Sequence, residues 1–215
     1  MMDQGFEAEL PPPLQLALAY APRAAREPTL ALFLLDTRLA GFVRRGGEPL
    51  MAQMRLAWWR DTLRGTPADW PRGDPLLDML RAWRTPAPLV ALVDGWEQLL
   101  AGELDREAIT AFAGGRAKGW AALAGEIGAE GAAVEPAARA WALGDLAGNL
   151  SDPAERALVV EATRPDRYVP PSARALRPLA ILGGLGRRAL AKGGVPLLDG
   201  RGASLAALRL GMLGR

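Results

Sequence analysis

The chain has 215 residues, which suits one large helical domain or a compact core with a loosely attached tail. It contains no His and no Cys, which excludes Ser-His-Asp and Cys-His catalysis, disulfides, and the usual ligands of zinc, haem and iron–sulfur clusters. The net charge is +2, but residues 174–215 carry 8 basic and 1 acidic side chains, against 18 and 23 in residues 1–173. This basic segment could attract an anionic membrane or nucleic acid, although a solvated arginine-rich surface is the simpler interpretation.

The composition favours helices over strands. Ile, Val and Thr, which suit a pleated sheet, total only 18 residues, whereas Ala and Leu dominate. The sequence therefore predicts an all-α fold. Prolines and glycines mark where its helices should begin and end.

In the first half of the chain, four helices are expected. The first runs from Pro13 to Ala21, the second begins near Pro28, the third runs from Glu48-Pro49 to Gly65, and the fourth begins at Pro75 with Asp74 as its N-cap. The apolar side of the third helix is formed by residues at helical spacing: Leu50, Met51, Met54 and Trp58.

In the second half, six helices are expected, of which two are short. They are 88–101, 105–127 with an interruption or weakening at Gly114-Gly115, 135–150, a short helix after Asp152-Pro153, a helix beginning irregularly around Pro178, and 205–213. We predict two regions, a helical domain over 1–190 and a basic, Gly-rich tail with a short helix over 191–215.

The N-terminus, Met1 to Glu7, is acidic and polar, which is not typical of a secretory signal. The longest apolar runs are far shorter than the roughly 20 residues that span a bilayer. The absence of cysteine is also typical of reducing compartments. We therefore expect a cytoplasmic protein that can associate peripherally with the inner membrane.

The segment from Glu48 to Leu63 is the most specific in the chain, because it carries tandem tryptophans between arginines. Trp58 and Trp59 lie about 100° apart on a helix, so one can enter the core while the other covers a neighbouring helix. Arg55 lies one turn before Trp59 and can stack on indole or pair with an acid. These three residues are candidates to line a substrate cavity, although a packing helix with a polar edge explains them more simply.

Three segments in order, Leu32 to Val43, Glu48 to Leu63 and Leu92 to Leu99, resemble successive landmarks of the squalene/phytoene synthase family. The resemblance extends more weakly through Trp141–Gly144 and Arg167–Pro170 to about residue 190. It is nearest to the bacterial and mitochondrial branch of the family that is associated with respiratory complex I assembly.

The resemblance implies an isoprenoid-synthase-like helical bundle with a central apolar cavity, shortened here at the C-terminus. Active members join two prenyl diphosphates head to head and bind magnesium through two aspartate-rich motifs on facing helices. Magnesium prefers an octahedron of oxygen ligands and neutralises the diphosphate leaving group. Apolar walls would hold the prenyl chains and protect the allylic cation from water.

The chain departs from the family at the first motif. The expected acidic positions fall near Ala40, Gly41 and Arg44, so the first metal site is missing. Asp36, one turn earlier and beside Arg38, is expected to be a solvated or paired surface charge. At the second motif the weak metal candidates are Asp145, Asn149 and Asp152. Asp145 and Asn149 share a helical face, whereas Asp152 precedes Pro153 and is more simply an N-cap.

Two further elements supply candidates for the cavity. Asp94 and Glu97 form an acidic pair one turn apart on the helix that carries Trp96, although exposed acids of this kind are usually solvated. Tyr168 lies in the Arg-Tyr-Val-Pro stretch that resembles the family's element after the second motif, although structural packing is the simpler explanation of it.

The resulting hypothesis is a degenerate, non-catalytic squalene/phytoene synthase-like protein that acts as a prenyl-lipid-binding or assembly factor, with a protein partner possible and no nucleic acid. No cofactor is expected, or Mg²⁺ if the protein is active. The alternative is an active magnesium-dependent prenyltransferase using Asp94, Glu97, Asp145 and Asp152. A third hypothesis is a peripheral membrane or quinone-lipid adaptor that docks through the basic tail.

Overall fold

The structure is a computed structural model that describes residues 3–44, 49–100, 102–163 and 169–213. Within those ranges the chain forms 11 α-helices and no strand, which confirms the all-α prediction. In chain order the helices are α1 (Asp3–Glu7), α2 (Pro12–Leu18), α3 (Arg23–Arg44), α4 (Pro49–Arg64), α5 (Pro75–Arg81), α6 (Val90–Glu97), α7 (Arg106–Glu126), α8 (Val134–Asn149), α9 (Pro153–Glu161), α10 (Arg177–Ala191) and α11 (Arg201–Leu213). Short 3₁₀ turns cover Pro67–Asp69, Ala87–Leu89, Gln98–Leu100 and Arg174–Leu176.

Aspartate caps begin three of the helices. The Asp74 carboxylate accepts hydrogen bonds from the backbone N–H groups of Leu76 and Leu77, as predicted for the start of α5. Asp105 caps α7. Asp152 caps α9 by accepting hydrogen bonds from the backbone N–H groups of Ala154 and Glu155. Local sequence signals therefore predict these helix starts correctly.

The predicted start of the second helix is wrong, because α3 begins at Arg23 and includes Pro28. A proline inside a helix removes one backbone hydrogen bond, so contacts elsewhere must hold the first turns in place. Arg26 supplies two of them. It donates to the carbonyl of Leu18 at 2.9 Å and to the Glu7 carboxylate at 2.7 Å.

The predicted interruption at Gly114-Gly115 is also wrong, since α7 runs continuously through both residues. Gly115 is required here by the packing of α7 on α6. A Cβ atom at Gly115 would lie 2.7 Å from the Cα of Gly95 and 2.5 Å from the carbonyl oxygen of Ala91. The glycine therefore allows two helix backbones to touch, and this contact outweighs its low helix propensity.

The predicted apolar side of α4 does not face the core. Leu50, Met51, Met54 and Trp58 are between 44% and 62% exposed. The buried side is formed by Ala52, Leu56, Trp59 and Leu63. Because α4 is apolar on two sides, periodicity alone could not identify the side that packs inward. We refer to Leu50, Met51, Met54 and Trp58 as the α4 stripe.

The core is continuous from the N-terminal helices to α11. α7 packs between α6 and α8, and α8 packs closely on α10. The last helix begins at Arg201, earlier than predicted, and buries Ala203, Ala207 and Leu210. α11 packs on α10. The proposed boundary at residue 190 stays a prediction.

Among the residues that the structure describes, no helix is long and apolar enough to cross a membrane. The stretch 164–168, which includes Tyr168, lies outside the described residues, so its predicted role in the cavity stays a prediction.

Candidate functional site

The most unusual polar group of the core is the guanidinium of Arg116, which is buried in the middle of α7. It binds Asp36 of α3 with two hydrogen bonds, from Nε to Oδ1 at 3.0 Å and from Nη2 to Oδ2 at 2.5 Å. Asp36 is only 3% exposed, so the prediction that it is a surface charge is wrong. Parallel bonds of this kind fix both the distance and the plane of the two groups.

Arg116 also reaches α8. Its Nη1 atom donates to Oδ2 of Asp145 at 2.9 Å, and its guanidinium carbon lies 3.6 Å from the centre of the Trp141 ring. The Nε1–H group of Trp96 donates to Oδ1 of Asp36 at 2.9 Å. We call Asp36, Trp96, Arg116, Trp141 and Asp145 the Arg116 cluster. It joins four helices, α3, α6, α7 and α8, through one buried cation.

The Arg116 guanidinium stays charged despite its burial. Desolvation by burial lowers the pKa of this group, but the charges of Asp36 and Asp145 and their hydrogen bonds outweigh that effect and leave the pKa above its ordinary value. Two carboxylates surround one guanidinium, so the three groups together carry one negative charge. Arg44, whose Nη2 lies 3.9 Å from Oδ2 of Asp145, offsets part of it.

A pocket of about 280 Å³ lies against the Arg116 cluster, and Trp96 and Asp145 belong to both. Its walls are mostly apolar and come from the C-terminal end of α3, the α6–α7 region and the α8–α9 region. The lining residues are Val43, Arg44, Trp96, Leu99, Gly102, Leu104, Phe112, Asp145, Leu146, Asn149, Leu150 and Glu155. We call this cavity the Trp96 pocket. Apolar walls with a few polar groups are typical of a small-molecule site.

The acidic pair Asp94 and Glu97 lies together, as the spacing predicts, but both carboxylates bind Arg60 of α4. The Nε atom of Arg60 lies 2.7 Å from Oδ1 of Asp94, and Nη2 binds Glu97. Burial lowers the pKa of Arg60, but hydrogen bonding to Asp94 and the two acidic charges raise it above its ordinary value overall. These acids therefore join α4 to α6.

The three metal candidates have different roles in the structure. Asp145 and Asn149 share a face of α8, as predicted, and the Asn149 amide donates to Oδ1 of Asp145 at 3.2 Å. Asp152 accepts from backbone N–H groups as the cap of α9. Across the described ranges, no group of three or more acidic side chains is placed to hold a metal ion.

Helix α4, which carries Trp58 and Trp59, lines a second, more open groove of about 470 Å³. Arg55, Trp58 and Trp59 line it together with Arg38, Phe42 and Asp74. Trp58 and Trp59 meet edge to face with ring centres 5.3 Å apart, and Arg55 lies over Phe42. The predicted cavity residues of α4 therefore lie on this surface groove, and the Trp96 pocket has other walls.

Sequence reasoning missed Arg116, although a signal for it exists. The residue continues the buried stripe of α7, four residues after Phe112 and four before Trp120. A charged side chain at a core position of a helical stripe needs a buried partner of opposite charge. The stripe thus predicts that some acid reaches Arg116 but does not identify Asp36, which lies 80 residues earlier.

Compared with family models, curated proteins and solved structures, the chain gives no match in any of the three.

Proposed function

We propose that the chain is a squalene/phytoene synthase-like protein that binds a prenyl lipid but does not ionise a prenyl diphosphate. The observation that carries this proposal is that Arg116 binds both Asp36 and Asp145. Asp145 lies in the segment where the resemblance leads us to expect the second magnesium motif, and Asp36 lies one turn before the positions expected for the first. Arg116, a permanent cation of the chain itself, therefore binds the carboxylates nearest to both expected magnesium sites.

Replacing Arg116 by a magnesium ion would be unfavourable. Magnesium demands near-octahedral oxygen coordination, and the cluster offers two carboxylates. Moving the guanidinium away from them would leave a buried charge without partners, which costs several kcal/mol. The cluster thus favours a structural bridge over a metal site.

The Trp96 pocket supports the binding part of the proposal. Its volume of about 280 Å³ equals that of roughly nine water molecules in the liquid, which suits one short apolar chain. Its charged lining groups are one cation, Arg44, and two acids, Asp145 and Glu155. Such a lining disfavours a diphosphate, so a prenyl alcohol is the better ligand.

The active-enzyme alternative requires Asp94, Glu97, Asp145 and Asp152 to face one metal. Asp94 and Glu97 bind Arg60, Asp145 binds Arg116 and Asp152 caps α9. All four acids therefore already have partners within the chain, with Arg60 shared by Asp94 and Glu97, which supports the binding protein over the prenyltransferase.

The purified chain should form no condensation product from farnesyl or geranylgeranyl diphosphate with magnesium, yet bind farnesol in a calorimetric titration. Leu99→Trp should weaken farnesol binding by about tenfold or more, equivalent to about 1.4 kcal/mol, because the larger ring fills the pocket. Leu99 is half-buried, so the variant should still fold.

The matched control is Met54→Ala on the α4 stripe, which should bind farnesol as the unchanged chain does. Magnesium-dependent turnover of either diphosphate would overturn the non-catalytic proposal. If the Leu99→Trp variant bound farnesol as tightly as the unchanged chain does, the Trp96 pocket would not be the binding site.

An assembly role, the second form of this function, is favoured by the α4 stripe. Four large apolar side chains on one exposed helix face are typical of a protein interaction site. A photo-crosslinking amino acid at Met54 should capture a defined partner in cells, whereas the same probe at the exposed Arg64 should not. Identical products from both positions would count against a partner on this face.

A further inference from the structure

The last helix, α11, has two different faces. Its inner face buries the small residues Ala203 and Ala207 together with Leu210, and it packs on α10. Its outer face exposes Leu205, Leu208 and Met212, which are between 48% and 68% exposed. The spacing of three and four residues places these three side chains along one stripe. We call them the α11 stripe.

Basic side chains greatly outnumber acidic ones in the segment that carries the α11 stripe. α11 contains no acidic residue, and Arg209, exposed and four residues after Leu205, lies beside the stripe. The segment 174–215 carries 8 basic side chains and 1 acidic one. The α4 stripe differs, because Asp61 lies one turn beyond Trp58 on the same side of α4 and is exposed.

We propose that the α11 stripe docks on the surface of an anionic lipid bilayer, with α11 lying parallel to the membrane plane. Leucine and methionine side chains on an exposed helical stripe can enter the boundary between head groups and acyl chains. Arginine beside the stripe is attracted to anionic head groups. An apolar surface of a partner protein could cover the stripe, but it would not attract the basic side chains of this segment. This proposal is independent of the ligand of the Trp96 pocket.

The test is flotation of the full chain with vesicles of phosphatidylcholine, with and without phosphatidylglycerol, over a series of salt concentrations. The chain should float with the anionic vesicles at low salt, and the bound fraction should fall as salt rises because ions screen the attraction. Leu205→Glu combined with Leu208→Glu should lower the bound fraction about tenfold, since two charges would enter the apolar boundary.

Met54→Glu, which places one charge on the exposed α4 stripe, is the matched control and should leave flotation unchanged. Circular dichroism should show the same helix content in all variants, because all three positions are exposed. Absence of flotation at low salt, or equal loss with Met54→Glu, overturns the proposal. A dimer in light scattering that the Leu205→Glu, Leu208→Glu variant abolishes would assign the stripe to a second copy and overturn it too. Farnesol binding remains a separate measurement, so failure here leaves the proposed function standing.

Discussion

Replacing Arg116 by Met is expected to lower the free energy of unfolding by about 3–5 kcal/mol, the usual loss when one partner of a buried ion pair is removed. The substitution leaves Asp36 buried with only the Trp96 N–H group as a hydrogen-bond donor from the cluster. Methionine fills much of the space beside Trp141, so the loss arises from the unpaired charge. Urea unfolding followed by circular dichroism would measure it.

The matched control is Arg60→Met. Arg60 also binds two acids, but one of them, Asp94, is about half exposed, so water can replace the lost contact. Exposed pairs usually contribute about 0–1 kcal/mol. A second variant, Arg116→Met with Asp36→Leu, should recover much of the lost stability because it removes the orphaned charge as well. Equal losses for Arg116→Met and Arg60→Met would contradict a special role for the buried cluster.

The contribution of Arg116 to the free energy of unfolding should not vary with pH around neutrality. The pKa of its guanidinium is higher in the folded chain than its ordinary value. A group with a raised folded pKa stabilises the fold fully below its unfolded pKa and loses that contribution only as pH rises through the folded pKa. Both values lie far above neutral pH, so no loss from Arg116 itself is expected there.

Replacing Gly186 by Ala is expected to lower the free energy of unfolding by about 3 kcal/mol, at the upper end of overpacking effects. At this position α10 meets α8 backbone to backbone. A Cβ atom on Gly186 would lie 2.2 Å from the carbonyl oxygen of Ala140 and 2.7 Å from the Cα of Trp141. Backbone atoms cannot rotate aside, so the two helices must separate.

Gly125→Ala is the matched control for this experiment. Gly125 is also helical, but an added Cβ would meet only the Glu130 side chain, at 3.7 Å. Alanine has the higher helix propensity, so this change should raise stability by up to about 1 kcal/mol. Thermal and urea unfolding of both variants would test the contrast. Similar effects at the two positions would show that α8 and α10 can adjust without cost.

Local features of the fold were predictable from the sequence because they depend on neighbouring residues. Asp74-Pro75 and Asp152-Pro153 each combine a capping side chain with a proline suited to the first helical position, and both begin helices. The start of α3 was not predictable, because distant contacts of Arg26 hold the turns before Pro28.

The candidate site was harder to predict than the helix ends. Four apolar residues of α4 are exposed on one side and four are buried on the other, so periodicity could not identify the side that packs inward. The Arg116 cluster combines residues of four helices, and the acid that binds Arg116 is separated from it by 80 residues. Periodicity identifies which residues are buried but not which helices meet.

The close helix contacts also determine where the buried charges lie. Gly115 immediately precedes Arg116, and Gly144 immediately precedes Asp145. Each glycine touches the backbone of a neighbouring helix, α6 in the first case and α10 in the second. The two charged residues are thus attached to points where helix backbones pack directly against each other. A ligand entering the Trp96 pocket would therefore meet Asp145 on a closely packed wall, and adjustment of the pocket would come from its less deeply buried apolar side chains, Val43, Leu99, Leu104 and Leu150.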